Sequence, residues 1–136
     1  MAIQDAPDGT LWTQIVDVVV NTPVPGAPAH EKAITKLARK SSSNTDYVTV
    51  VEWQVGENKI GILRFVEFMS DNYEKTRFRL TINGVVQFTD LELGASLTLE
   101  WPDVKLAAGA VVLLQARSTD TTEVNVDGDI LGKEVG

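Results

Sequence analysis

From Tyr47 onward, apolar and polar residues alternate with a period of two, which gives strands one dry face and one wet face. Tyr47, Val51, Trp53 and Val55 share a face, and Gly56-Glu57-Asn58 supplies a turn. Ile60–Met69 reads as a long apolar strand with Arg64 and Glu67 on opposite faces, broken by Ser70-Asp71-Asn72. Phe78, Leu80 and Ile82 alternate with Arg77, Arg79 and Thr81. Asn83-Gly84 has the positive-φ preference of a type I′ turn, so Arg77–Asn83 and Val85–Thr89 are expected to pair as a hairpin. Leu97, Leu99 and Trp101 form a further strand that Pro102-Asp103 should stop, and Val111–Ser118 follows Gly109. Asp120-Thr121-Thr122 turns the chain into Val124–Asp127, with Ile130 beyond Gly128. Roughly seven or eight short strands, with turns about every ten residues, imply an all-β antiparallel sandwich rather than βαβ units. Its expected core is Phe78, Leu80, Ile82, Leu97, Leu99, Trp101, Val111 and Leu113.

Residues 1–46 differ in character and read as an extended N-terminal arm preceding a sandwich over 47–136. Leu11–Val20 is rich in β-branched residues and ends at Asn21 and Pro23, so it reads as a strand. Pro23–Pro28 holds three prolines and forms a stiff connector. In Ala29–Lys40 the residues Ala33, Ile34, Leu37 and Ala38 lie on one stripe at helical spacing, which predicts one short amphipathic helix. Ser41–Asp46 then makes a polar hinge. A strand at Leu11–Val20 has two uses, addition to the domain's own sheet or crossing to a neighbouring subunit.

Composition narrows the chemistry. The 136 residues include no cysteine and a single histidine, His30, which excludes disulfide scaffolds, thiolate metal sites and histidine clusters within one chain. A net charge of −7 argues against sequence-independent binding to nucleic acid or an anionic membrane. No apolar run approaches the ~20 residues of a membrane span. Met1–Gly9 has neither a basic start nor an apolar core, so no signal peptide is expected and synthesis in the cytoplasm is.

Several constellations bear on chemistry. Carboxylate pairs such as Glu52 with Glu67 read as solvated strand positions rather than a catalytic dyad. Asp127-Gly128-Asp129 reads as a turn rather than a calcium loop. Trp53 and Trp101 fall in phase with core residues, which leaves Tyr73, in the polar segment Asp71–Thr76, as the best exposed aromatic for a ligand loop, with Asp120 as its neighbour loop. No catalytic residue, cofactor or metal ligand is expected. Lys36, Arg39 and Lys40 read first as a solvated basic face and second as a docking surface for an acidic neighbour, and Trp12, Ile15, Val18 and Val20 are the arm's candidate contact residues.

The order Phe78-Arg79-Leu80-Thr81-Ile82-Asn83-Gly84, a leucine-rich strand, Gly109-Ala110-Val111-Val112-Leu113 and Gly128-Asp129-Ile130-Leu131-Gly132-Lys133-Glu134 resembles small jelly-roll accessory proteins of tailed bacteriophage virions. These are capsid decoration proteins and related head or tail domains. The resemblance spans Tyr47 to Glu134 and rests on strand order and turn placement. It implies a jelly roll and a non-enzymatic structural protein that self-associates, most often as a trimer, on the major capsid protein lattice at the virion exterior. A carbohydrate-binding or host-adhesion module using Tyr73 is the alternative.

Overall fold

A computed structural model describes residues 30–136. Among them run eight strands: β1 (Glu31–Ser42), β2 (Val48–Gln54), β3 (Ile60–Ser70), β4 (Thr76–Ile82), β5 (Val85–Leu91), β6 (Leu97–Leu106), β7 (Val111–Ser118) and β8 (Val124–Val135). A 3-10 turn, Tyr73–Lys75, precedes β4. One sheet has the order β1-β8-β3-β6 and the other β2-β7-β4-β5. First therefore neighbours last, second neighbours seventh, third neighbours sixth and fourth neighbours fifth. A long antiparallel strip rolled about its central hairpin has this arrangement, and it is the jelly roll.

The central hairpin is where local sequence dictates most. Asn83 and Gly84 both take positive φ, 51° and 80°, which only a primed turn requires and which matches the twist of β4 and β5. The inward faces of the two sheets meet in a core whose largest fully buried side chains include Trp53, Phe68, Phe78, Leu63, Leu80, Leu114 and Ile130. The ring of Phe68 on β3 packs 4.8 Å from that of Phe78 on β4, joining the two sheets. Gly128 lets β8 pass close to β7, since a Cβ there would lie 2.6 Å from Leu114 Cδ2.

The structure departs from several expectations. The helix expected over Ala29–Lys40 is strand β1, hydrogen-bonded beside β8. Its buried residue Ile34 and half-buried Ala38 are four apart, a spacing that satisfies a period of two as well as 3.6, whereas Leu37, which the helical stripe needed, stands 69% exposed. A lone three-turn helix is marginal in water, and pairing on a sheet satisfies the same backbone groups. The sandwich accordingly starts at β1 rather than at Tyr47.

On β7 the buried residues are Val112, Leu114 and Ala116, while Val111 and Leu113 lie half-buried in the opposite phase. Apolar side chains at every position from 111 to 114 hide the phase, and only Gln115 and Arg117 reveal it. On β6, Leu97, Leu99 and Trp101 pack against the core but are only partly buried, as befits an edge strand. Pro102-Asp103 does not end β6. Asp103 takes φ 54° and the register with β3 slips there, a bulge tolerated because β6 is an edge. The same irregularity, between Leu63 and Phe65 on β3, turns Arg64 and Glu67 toward one face instead of two. Asp127-Gly128-Asp129 lies inside β8, not in a turn.

Candidate interaction surface

The outer face of the β1-β8-β3-β6 sheet combines apolar side chains, charges and shallow grooves. Cross-strand pairing sets its rows: Leu131 lies opposite Phe65, which lies opposite Glu100, and Asp129 lies opposite Glu67, which lies opposite Thr98. A shallow groove of about 480 Å³ crosses the first row, lined by Thr35, Arg64, Phe65, Glu100, Trp101 and Leu131 among others. A second depression of about 330 Å³ lies over the acidic row, bounded by Leu37, Arg39, Met69 and Asp127.

The charges on this face are arranged by β1 and β8. Arg39 grips Asp127 through two bonds, Nε to Oδ1 at 2.6 Å and Nη2 to Oδ2 at 2.8 Å. This fork raises the guanidinium and lowers the carboxyl from their ordinary values. Beside it, the Ser41 hydroxyl donates to Asn125 Oδ1, and Asn125 donates to Asp71 from its backbone N–H at 2.9 Å and its side chain at 2.7 Å. Those two bonds lower Asp71. Asp129 is raised, first by burial and then by the Glu67 charge across the strand pair.

The opposite outer face, on β2-β7-β4-β5, is organised around Tyr47. Its ring lies 4.2 Å beneath the Arg79 guanidinium and 5.8 Å from that of Arg117. Its hydroxyl donates to Asp90 Oδ1 at 2.5 Å and accepts from the Asp90 N–H at 2.7 Å. Arg117 Nε donates to the same carboxylate at 2.9 Å. The tyrosine bond is the larger cause of the lowering at Asp90 and Arg117 the next. The network fastens the end of β5 to the sheet. Sequence reading missed it, because Tyr47 and Asp90 are 43 positions apart and nothing in their spacing announces the contact.

The sequence-predicted residues fall in different places. Lys36 and Lys40 are exposed on β1, each two residues from Ala38, and form no ion pair with another described residue. Arg39 is exposed too, but Asp127 occupies it. Tyr73 is half-buried in its 3-10 turn. Next to that turn, Lys75 donates to Asp120 at 2.8 Å and Thr122 donates from its hydroxyl at 2.6 Å, holding the Asp120 carboxyl down to about 2. The proposed ligand-loop carboxylate is thus already engaged. Among the described residues no group of three or more His, Cys, Asp or Glu is placed to hold a metal ion. Trp12, Ile15, Val18 and Val20 lie outside the described residues.

No protein-family model matches the chain, and no curated protein sequence matches it.

Proposed function

We propose that this chain is a structural protein of a tailed-phage virion, a capsid decoration protein that self-associates as a trimer and stabilises the head by binding the major capsid protein lattice. The observation that carries the reading is the outer face of the β1-β8-β3-β6 sheet. There Leu37 at 69% exposure and the half-buried Phe65, Met69 and Leu131 stand among ion pairs. An apolar centre with a charged surround is the composition of a protein–protein interface. The jelly roll supplies a stiff wedge behind that face. Trp12, Ile15, Val18 and Val20 add apolar area that a subunit neighbour buries. Repeated on a symmetric lattice, contacts that are individually weak hold together through high effective concentration.

Substitution on the face tests the reading. Phe65→Lys with Leu37→Lys should lower the solution mass of the full chain to that of a monomer while leaving its circular dichroism spectrum unchanged. The Ile15→Asp, Val18→Asp pair should weaken the same assembly. A mass unaffected by either set overturns the proposal. Polysaccharide binding that Tyr73→Ala abolishes would favour the host-adhesion alternative instead.

A further inference from the structure

We infer that Asn83 is a site of spontaneous deamidation that the turn between β4 and β5 holds shut and that opening of this hairpin releases. The site lies on the opposite sheet from the proposed contact face and is independent of it. Asparagine is a heat-labile residue because the main-chain nitrogen of the next residue can attack its Cγ. A bond forms from that nitrogen to Cγ, the side-chain amide leaves as ammonia with the nitrogen's proton, and a five-membered succinimide remains. One water then opens the ring. Opening at Cγ gives aspartate, and opening at the main-chain carbonyl gives isoaspartate, whose chain runs through the side-chain carbon. In sum one water is consumed and one ammonia released, with no oxidant or reductant.

Two features select Asn83. Its nucleophile is the nitrogen of Gly84, which no side chain shields: both residues are exposed, and even a Cβ built on Gly84 would meet nothing within 4 Å. Asn44, Asn58, Asn72 and Asn125 are followed by Thr45, Lys59, Tyr73 and Val126, whose side chains crowd the same nitrogen. Among the described residues the other acid or amide followed by glycine is Asp127-Gly128, and it is locked. Gly128 is buried within β8, and Arg39 grips the Asp127 carboxylate.

The turn supplies the gate. Ring closure needs the Gly84 nitrogen to eclipse the Asn83 Cβ about the Cα–C bond. Asn83 has φ 51° and Gly84 φ 80°, the left-handed pair of a type I′ turn, whose first central residue takes ψ of ~30°. That ψ swings the nitrogen to the side away from Cβ and shuts off the attack. The conformation is pinned on both flanks: Ile82 pairs with Val85, and the Asn83 N–H donates to the Val111 carbonyl on β7 at 2.7 Å. Reaction therefore passes through a hairpin whose turn has let go of β7, and its rate follows how often that opening occurs. The two products then diverge. Asp-Gly favours the same turn, so the aspartate form closes again. Isoaspartate adds a main-chain carbon between Ile82 and Val85, which a two-residue turn cannot hold in register.

The test ages the full chain at mildly alkaline pH, once in buffer and once in urea above its unfolding midpoint, and follows the amide-to-acid mass gain by peptide mapping. The unfolded chain should convert at Asn83 ahead of every other asparagine, and the folded chain should convert there at least about tenfold more slowly. Asn83→Gly, which keeps a pair suited to the type I′ turn, should abolish the gain in that peptide. Asn83→Asp should match the parent's urea midpoint, whereas the isoaspartyl fraction isolated from the aged protein should unfold at lower urea. Equal rates in buffer and in urea would overturn the gate. Conversion of another asparagine first in the unfolded chain would overturn the choice of site, and an isoaspartyl fraction as stable as the parent would overturn its consequence for the hairpin.

Discussion

The indole N–H of Trp53 on β2 donates to Glu134 Oε2 on β8 at 2.9 Å, a buried bond that ties one sheet to the other across the end of the sandwich. The same carboxylate oxygen accepts the Gly56 N–H at 3.1 Å, and Glu134 is only 8% exposed. A buried carboxylate survives here because two donors converge on it. Glu134→Leu removes both acceptors and leaves two donors stranded, which should cost about 1–3 kcal/mol. Glu134→Gln retains an acceptor oxygen and should cost less. Urea unfolding followed by tryptophan fluorescence ranks the two, and a leucine variant as stable as the glutamine variant would contradict the assignment.

Two glycine positions predict opposite outcomes. At Gly128 a Cβ would meet Leu114 at 2.6 Å and Val50 and Val51 at 3.1 Å, so Gly128→Ala overpacks the core and should destabilise by about 1–3 kcal/mol. At Gly94 nothing lies within 4 Å, and Gly94→Ala should leave the urea midpoint unchanged. Equal midpoints for the two variants would contradict the close approach of β8 to β7.

Acid should destabilise the fold through four carboxylates. Asp71, Asp90, Asp120 and Asp127 are all lowered by their partners, Asp120 to about 2. A group lowered in the folded state contributes stability above its unfolded value, near ~4, that disappears as pH falls through the folded value. Stability should therefore drop between about pH 4 and pH 2. Asp129 has the opposite sign. It is raised, so folding favours its protonated form, and that preference is lost as pH rises through its folded value. Asp129→Asn should stabilise the protein at pH 7 and give no gain in acid, measured as urea midpoints at both pH values.

Tyr47→Phe removes the hydroxyl that binds Asp90 in both directions and leaves the ring under Arg79. The expected loss is about 1 kcal/mol, with faster amide exchange confined to the end of β5. Uniformly faster exchange, or none, would contradict the view of this network as a local fastening.

Much of the sandwich was legible because its signals are local. Asn83-Gly84 specifies its own turn, and the alternation through Phe78, Leu80 and Ile82 admits one phase. The failures have physical causes of two kinds. Where apolar residues run without interruption, as in Val111–Leu114, or recur every four, as Ile34 and Ala38 do, the pattern fits more than one structure and the neighbouring strand decides. Where a contact joins distant positions, local pattern is silent: Arg39 and Asp127 are 88 residues apart, and Trp53 and Glu134 are 81. For the surface, the exposed charge of Lys36 and Lys40 was readable. The engagement of Arg39 by Asp127 was not, nor was the placement of the lysines on a strand rather than a helix.

The mass of the full-length protein in solution, measured by light scattering across a range of concentrations and salt, tests the proposed assembly most directly. A stable trimer that persists on dilution is the predicted result. A monomer of 14.8 kDa at every concentration would contradict it.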